Sequence, residues 1–414
     1  MRPRNSSSPT GTRRPLPPGF VVLWTTVAVD MVGFGVVAPI LPLYARRFGA
    51  SPATVGLLMA SFSLAQLALS PLLGRLSDRV GRRPVLMASL LGTAGASLLV
   101  GLAPALWLLF LARGLDGASG ASVSVAQAAA LDLADPGQEA RLLGLLGAAF
   151  GAGFVAGPAL GAAASLAGPR APFFLAAAVA AANWAAAWRR LPETRGARAP
   201  ERQRDRGRLE GRAGLAGVVG VGFLSMAAFA AFEATFALLG HDRLGFGPGS
   251  VGVAFCLVGL TIVACQAWLV GPVVARLGQA GCWQAGLALN AAGLALLAGV
   301  RSVPALVPTL GLLTVGQGLA VPAGAAVLAG RAGPGRRGEL LGFQQASGAL
   351  ARVLGPALAG AAFEAWGAGS PYLIGAGVSA AALVLALVVA ASGPRGQVGS
   401  LARPLAGGEE AGVS

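Results

Sequence analysis

Apolar runs of about twenty residues recur along the whole chain, separated by short charged or glycine- and proline-rich segments. A helix needs about 20 residues to cross the hydrocarbon of a bilayer. Inside that hydrocarbon a backbone must satisfy its own hydrogen bonds, which leaves helices or closed barrels. Barrel strands alternate apolar and polar residues, and these runs do not. Only 11% of the 414 residues are charged, against about a quarter in a soluble domain. The chain is therefore an all-α polytopic membrane protein. Twelve spans are predicted, at 20–44, 54–73, 84–103, 105–130, 142–165, 171–190, 214–239, 250–274, 281–300, 304–329, 339–363 and 371–392.

The formal charge of +15 is carried without a single lysine. With the N-terminus placed in the cytoplasm, 24 arginines fall in inside segments, five outside, and Arg113 and Arg352 within spans. That bias places both termini inside. The basic excess thus belongs to a membrane topology, and the lack of aromatic interleaving argues against nucleic acid as a partner. The organisation read from the sequence is a polar N-terminus at 1–18, a six-helix bundle at 19–190, a hydrophilic linker at 191–213, a second bundle at 214–392 and a tail at 393–414.

The two bundles repeat. RLLGLLGAAFGAGFVAGPALGAAAS at 141–165 lies over GELLGFQQASGALARVLGPALAGAA at 338–362, so that Gly144, Gly157 and Pro158 match Gly342, Gly355 and Pro356. GRLSDRVG at 74–81 matches GPVVARLG at 271–278, with Ala275 opposite Asp78. Each copy starts inside and spans six times, so the repeat is parallel, about an axis along the membrane normal.

Charge within the spans marks the candidate sites. Asp30 lies near the middle of the first helix, where an ionised carboxylate needs a partner, a proton or water. Such a carboxyl can alternate between protonated and ionised forms, as proton coupling requires; the plain alternative is a carboxyl satisfied by neighbouring helices. Arg113 in the fourth helix needs a counter-ion, and either Asp116 at i+3 or Asp30 could supply it. Glu233 shares a helix face with Phe229 and Phe236, an arrangement able to hold a lipophilic cation, although its position toward the outer end favours a solvated carboxylate. Gln66, Gln127 and Gln344 are candidate cavity hydrogen-bonders, with interhelical bonding as the default.

Between the second and third helices, GRLSDRVGRRPVL at 74–86 sets Asp78 among Arg75, Arg79, Arg82 and Arg83, with Gly74 and Gly81 allowing tight turns. The fifth helix carries Gly147, Gly151, Gly153, Gly157, Pro158 and Gly161, small residues that permit close helix approach beside a bending proline. Cys256, Cys265, Cys282 and the single His241 have no metal-ligand spacing. No nucleotide loop or nucleophile–base pair appears, so neither a cofactor nor an enzyme activity is implied.

The pattern G-x-L-x-D-R-x-G-R-R-x-x-L resembles the signature loop of the major facilitator superfamily. DMVGFGVVAPILP, RGLDGASGA, the glycine–proline helix and LPET at 191–194 follow in the order seen in its twelve-span drug:proton antiporters of tetracycline-efflux type. The resemblance implies two six-helix bundles working by alternating access, functional as a monomer, with a small molecule and protons as cargo. It gives Asp30 the place of the first-helix acid and Arg113 that of the fourth-helix arginine. Gly74, Asp78 and Arg82 take the conformational-switch loop, whose acid is expected to meet the start of helix eleven around Arg337 to Leu341. The glycine–proline helix is expected to seal the two halves together. The third helix lacks the acid that tetracycline exporters carry there, and Asp116 stands where many relatives have a neutral polar group. Transport of a native metabolite such as a sugar, siderophore or self-made antibiotic is the alternative within this fold.

Overall fold

The computed structural model describes the backbone of residues 15–120, 122–135, 138–194, 212–331 and 337–391. All regular structure among them is helical. The first half holds α1 (Phe20–Val37), α2 (Leu41–Arg46), α3 (Pro52–Val80), α4 (Arg82–Leu102), α5 (Leu106–Ser119), α6 (Ser122–Leu133), α7 (Glu139–Ser165) and α8 (Ala171–Arg190). The second holds α9 (Arg212–Leu244), α10 (Pro248–Ala264), a π-helical turn (Cys265–Leu269), α11 (Val270–Leu297), α12 (Val303–Arg331), α13 (Arg337–Trp366) and α14 (Ser370–Ala391).

Among the described residues ten stretches are long and apolar enough to cross a bilayer, and taking Pro248–Leu297 as two spans and α5 with α6 as one more gives twelve. Helices α1 and α2 form one, bent at 38–40, with Pro42 in the first turn of α2, where its missing N–H costs nothing. The predicted single helix at 105–130 is divided: α5 ends at Ser119, and Gly120 caps it outside helical geometry. The carbonyl released there accepts a hydrogen bond from Gln66 Nε2 at 2.9 Å. α10 runs through the π turn into α11, which contains a non-helical residue, Gly278, that separates the eighth span from the ninth.

The stretch at 74–86 is not the loop expected from sequence. α3 continues to Val80, α4 starts at Arg82, and Gly81 alone joins them at φ 110°. Gly74 lies inside α3 and makes no turn. Gly278, the predicted repeat of Gly81, also has positive φ, at 71°. Only glycine takes that backbone without strain. The repeat therefore holds at the hinge even though its acid is missing.

Large apolar side chains such as Leu57, Trp107, Leu257, Leu358 and Leu373 remain more than half exposed or close to it on the outer faces of the bundle, as lipid-facing positions require. Three buried apolar clusters lie within. One draws on both halves, joining Val36, Tyr44, Val55 and Phe173 to Phe232, Phe236, Val251 and Tyr372. The other two do not cross over: one, around Phe20, Leu90 and Leu146, belongs to the first half, and the other, around Trp283, Leu319 and Ala386, to the second. Among the described residues the halves are thus fused toward the end bearing α2 and parted toward the arginine-rich end. The seam runs along two helix pairs, α3 on α13 and α7 on α10. A Cβ on Gly56 would come within 3.0 Å of Gly360 Cα, and one on Gly252 would meet the Ala162 side chain at 2.8 Å. Glu364 of α13 accepts a hydrogen bond from Ala53 N in the first turn of α3 at 3.0 Å, a carboxylate on a helix N-terminus. At the arginine-rich end, by contrast, a Cβ on Gly74, Gly144 or Gly147 would meet nothing within 4 Å. The proposed 191–213 linker lies mostly outside the described residues, as do the 1–14 segment and the tail.

Candidate functional site

A cavity of about 320 Å³ lies between the halves, just inside the seam. From the first half it is lined by Met31, Phe34, Phe62, Gln66, Arg113, Gln127, Phe150, Phe154 and Pro158, and from the second by Glu233, Phe255, Gln345, Arg352 and Pro356. The rings of Phe34 and Phe62 sit 5.4 Å apart and those of Phe34 and Phe154 6.2 Å apart. An apolar, aromatic wall with a few placed polar groups suits a small amphipathic molecule.

Arg113 is 2% exposed, and of its two candidate partners the structure joins it to Asp116. Nη1 lies 2.8 Å from Asp116 Oδ2. Both partners of this i,i+3 pair come from α5. The guanidinium carbon lies 4.3 Å from the Phe62 ring centroid, a cation–π contact. Its Nε has no hydrogen-bond partner.

Asp30 is buried, at 6% exposure, but among the described residues it is not on the cavity wall. Met31, Phe34, Gly35 and Ala38 hold the cavity face of α1, and Asp30 flanks them. The same stretch of α1 is fixed by neighbouring helices. Asn183 Nδ2 donates to Thr26 O at 2.9 Å, and Trp24 Nε1 donates to Leu145 O at 2.7 Å.

The second half contradicts the sequence reading at Glu233. It is not a solvated carboxylate near the membrane surface; it lines the cavity. α9 runs on to Leu244 instead of ending near 239, which puts Glu233 about three turns from the helix end. Its flanking aromatics do not join it there. Phe236 is fully buried in the shared cluster, and Phe229 packs on Phe232 with ring centroids 5.7 Å apart. Glu233 is instead attracted by Arg352 of α13, a residue that the sequence reading placed only within a span. Gln66 and Gln127 are on the wall as expected. Gln344 is not: it faces Gly222 of α9, and its neighbour Gln345 lines the cavity.

The glycine–proline helix divides its work. A Cβ on Gly157 would lie 2.6 Å from Gly35 Cα, and Gly161 faces Val36 and Ile40, so these residues with Gly153 seat α7 against α1 inside the first half. Gly147 stands in open space, and Gly151 meets only Val263. Where α7 meets the other half, the close approaches belong to Gly252 and Gly259 of α10, which rest on Pro158, Ala162 and Phe154 of α7. The expected sealing of the halves by this helix holds in part: Gly151 and Pro158 meet α10, while the tightest glycine contacts are those of α10 itself. Pro158 and its repeat partner Pro356 both reach the cavity.

At the arginine-rich end, the α3–α4 hinge is tied within its own half. Arg82 Nη1 lies 2.6 Å from Asp78 Oδ1, and Nε lies 3.0 Å from Asp132 Oδ2 on α6. Ser77 Oγ takes a further Arg82 hydrogen bond at 2.7 Å. Glu193, in the LPET stretch after α8, accepts from the backbone N–H of Arg82 at 2.8 Å and of Arg83 at 3.1 Å, capping α4 with a carboxylate. The Arg83 side chain reaches the Trp188 carbonyl, whereas Arg79 lies in the last turn of α3. The expected contact of Asp78 with Arg337 to Leu341 involves side chains outside the described residues.

Comparisons with known proteins agree with this arrangement. The Major Facilitator Superfamily family model matches residues 23–283 and 218–407. The class C tetracycline resistance protein of Escherichia coli is 32% identical over 355 residues, 83% of this chain and 89% of that protein. Multidrug resistance protein 2 of Bacillus subtilis is 27% identical over 365 residues, 83% of this chain and 88% of that protein. The crystal structure of the human organic anion transporter MFSD10 superposes with a TM-score of 0.67 at 26% identity, covering 89% of this chain and 98% of that one. The chain belongs to the Major Facilitator Superfamily, among relatives of tetracycline-efflux and multidrug-resistance type.

Proposed function

We propose that this protein exports small amphipathic compounds from the cytoplasm in exchange for protons, by rocking two six-helix bundles about the central cavity. The observation that carries the reading is the cavity itself. It sits between two halves that share one apolar cluster at one end and none among the described residues at the other, and it presents both aromatic and charged groups. The arginine bias supports a cytoplasmic parted end, with the protein in the plasma or inner membrane. The state described is then inward-facing, ready to load. The chain works as a monomer within the bilayer, because each half supplies part of one cavity and no second copy is needed to complete it. Its relatives' resistance to tetracycline and other drugs supports export over import.

In this reading Asp30 carries the exchanged proton. It is buried beside the cavity face of α1, and α1 packs on α7, which in turn meets the opposite half. A change in its charge alters the cost of keeping it out of water, and hence the balance between the two packings. Arg113 is held by Asp116 in this state, so its charge is already answered within the same half. Asp30→Asn is expected to abolish pH-gradient-driven efflux in inside-out vesicles while leaving insertion and folding intact. Coupled efflux at the wild-type rate in that variant refutes the role of Asp30.

A further inference from the structure

Three ionisable side chains stand on the cavity wall among the described residues: Arg113, Glu233 and Arg352. Arg113 is already committed. Asp116 neutralises it from behind the wall at 2.8 Å, and Phe62 lies against the guanidinium at 4.3 Å. Arg352 differs. Glu233 on the adjoining α9 attracts it, yet no ion pair closes between them within 4.0 Å among the described residues. A guanidinium carries five N–H donors in a fixed fork that matches a carboxylate. Arg352 thus brings unused donors to the wall, and the Phe34, Phe62, Phe154 and Phe255 rings offer faces for an aromatic body. Glu233, the one carboxylate on the wall among the described residues, suits a positive group elsewhere on the same molecule.

We infer that the cavity selects amphipathic ring compounds bearing an ionised carboxylate or a comparable acidic group, zwitterions included, and that Arg352 is the specificity-determining residue that holds that group. This rests on the reading of the cavity as the transport site. The anionic group takes the fork of Arg352, and Glu233 is left to a cationic end of the same molecule or to solvent. Binding then depends on a feature that a lipophilic cation lacks.

The test uses the purified full-length chain and two probes: a rhodamine with a free carboxylate and the methyl ester of the same dye. Equilibrium binding is read by fluorescence polarisation without any gradient, so it stands apart from proton coupling. The carboxylate dye is expected to bind about tenfold more tightly than its ester, as a charge-assisted forked pair allows. Arg352→Gln removes that preference while changing ester affinity by less than about twofold, and Arg352→Lys keeps part of it. Glu233→Gln leaves the preference in place, which separates the role of Arg352 from general damage to the cavity. Equal binding of the two dyes, a preference for the ester, binding of neither, or an equal loss for both in Arg352→Gln overturns the inference. Selective binding without gradient-driven movement of either dye would sink the export reading and leave the specificity assignment standing.

Discussion

Individual residues in this fold are decided by depth and by helix face, and glycine makes the point most simply. Gly157 lets α7 touch α1 at Gly35, where an added Cβ would sit 2.6 Å from Cα, whereas Gly147 on the same helix meets nothing. Gly157→Ala is therefore expected to cost about 1–3 kcal/mol, the usual penalty of overpacking, and Gly147→Ala close to nothing. Thermal unfolding in detergent checks the pair, and equal shifts would contradict the packing described. Residue-level reading of the sequence found Arg113, Asp116, Gln66 and Gln127 but not Arg352. An arginine in a span without a nearby acid gives no partner to search for, and Glu233 is 119 positions away. The choice of Gln344 over Gln345 failed for a related reason. Neighbouring residues on a helix point about 100° apart, and an apolar span does not state its own rotation.

At the scale of elements, the hinge at Gly81 and the seam at Glu364 share one device, a carboxylate from elsewhere seated on a helix N-terminus. Glu193 does this for α4 within one half, and Glu364 does it for α3 across the halves. Glu193→Ala exposes two backbone donors and loosens the joint between α8 and α4, at an expected cost of about 1 kcal/mol. Glu364→Gln leaves α13 intact but weakens the contact between halves, so it should shift the population toward the outward-open form. Spin labels at Arg46 and Asp242, which lie 3.6 Å apart across the seam, would then report a longer distance more often; an unchanged distribution contradicts a sealing role. Asp78→Asn removes one of the two carboxylates on Arg82 and leaves Asp132. Slower turnover with unchanged substrate affinity is expected, and unchanged turnover counts against a switch at this hinge. The helices themselves were legible in the apolar runs. The break between the eighth and ninth spans was legible too; the break at Gly120 and the near-absence of a loop at 74–86 were not. A charged helix end and a charged loop have the same composition, and only the interface with water separates either from a span.

Over the whole molecule, the repeat and the arginine bias were the most informative signals in the sequence. Both reflect constraints that act on every span at once, namely twofold internal duplication and a membrane of fixed orientation. The relation between the halves was not readable, because the same twelve helices serve an inward-facing and an outward-facing packing. The shared cluster at one end and the separate clusters at the other supply that relation. They also make transport a question of which end closes. Substrate and proton should then compete for one cycle rather than move independently. The most direct measurement is proton movement on adding substrate. Purified protein is reconstituted into liposomes holding a pH-sensitive dye, with an imposed pH gradient and the carboxylated rhodamine as cargo. The account predicts that dye transport and proton flux occur together in opposite directions, and that a protonophore which collapses the gradient stops accumulation. Accumulation that persists without the gradient, or proton flux indifferent to the cargo, contradicts it.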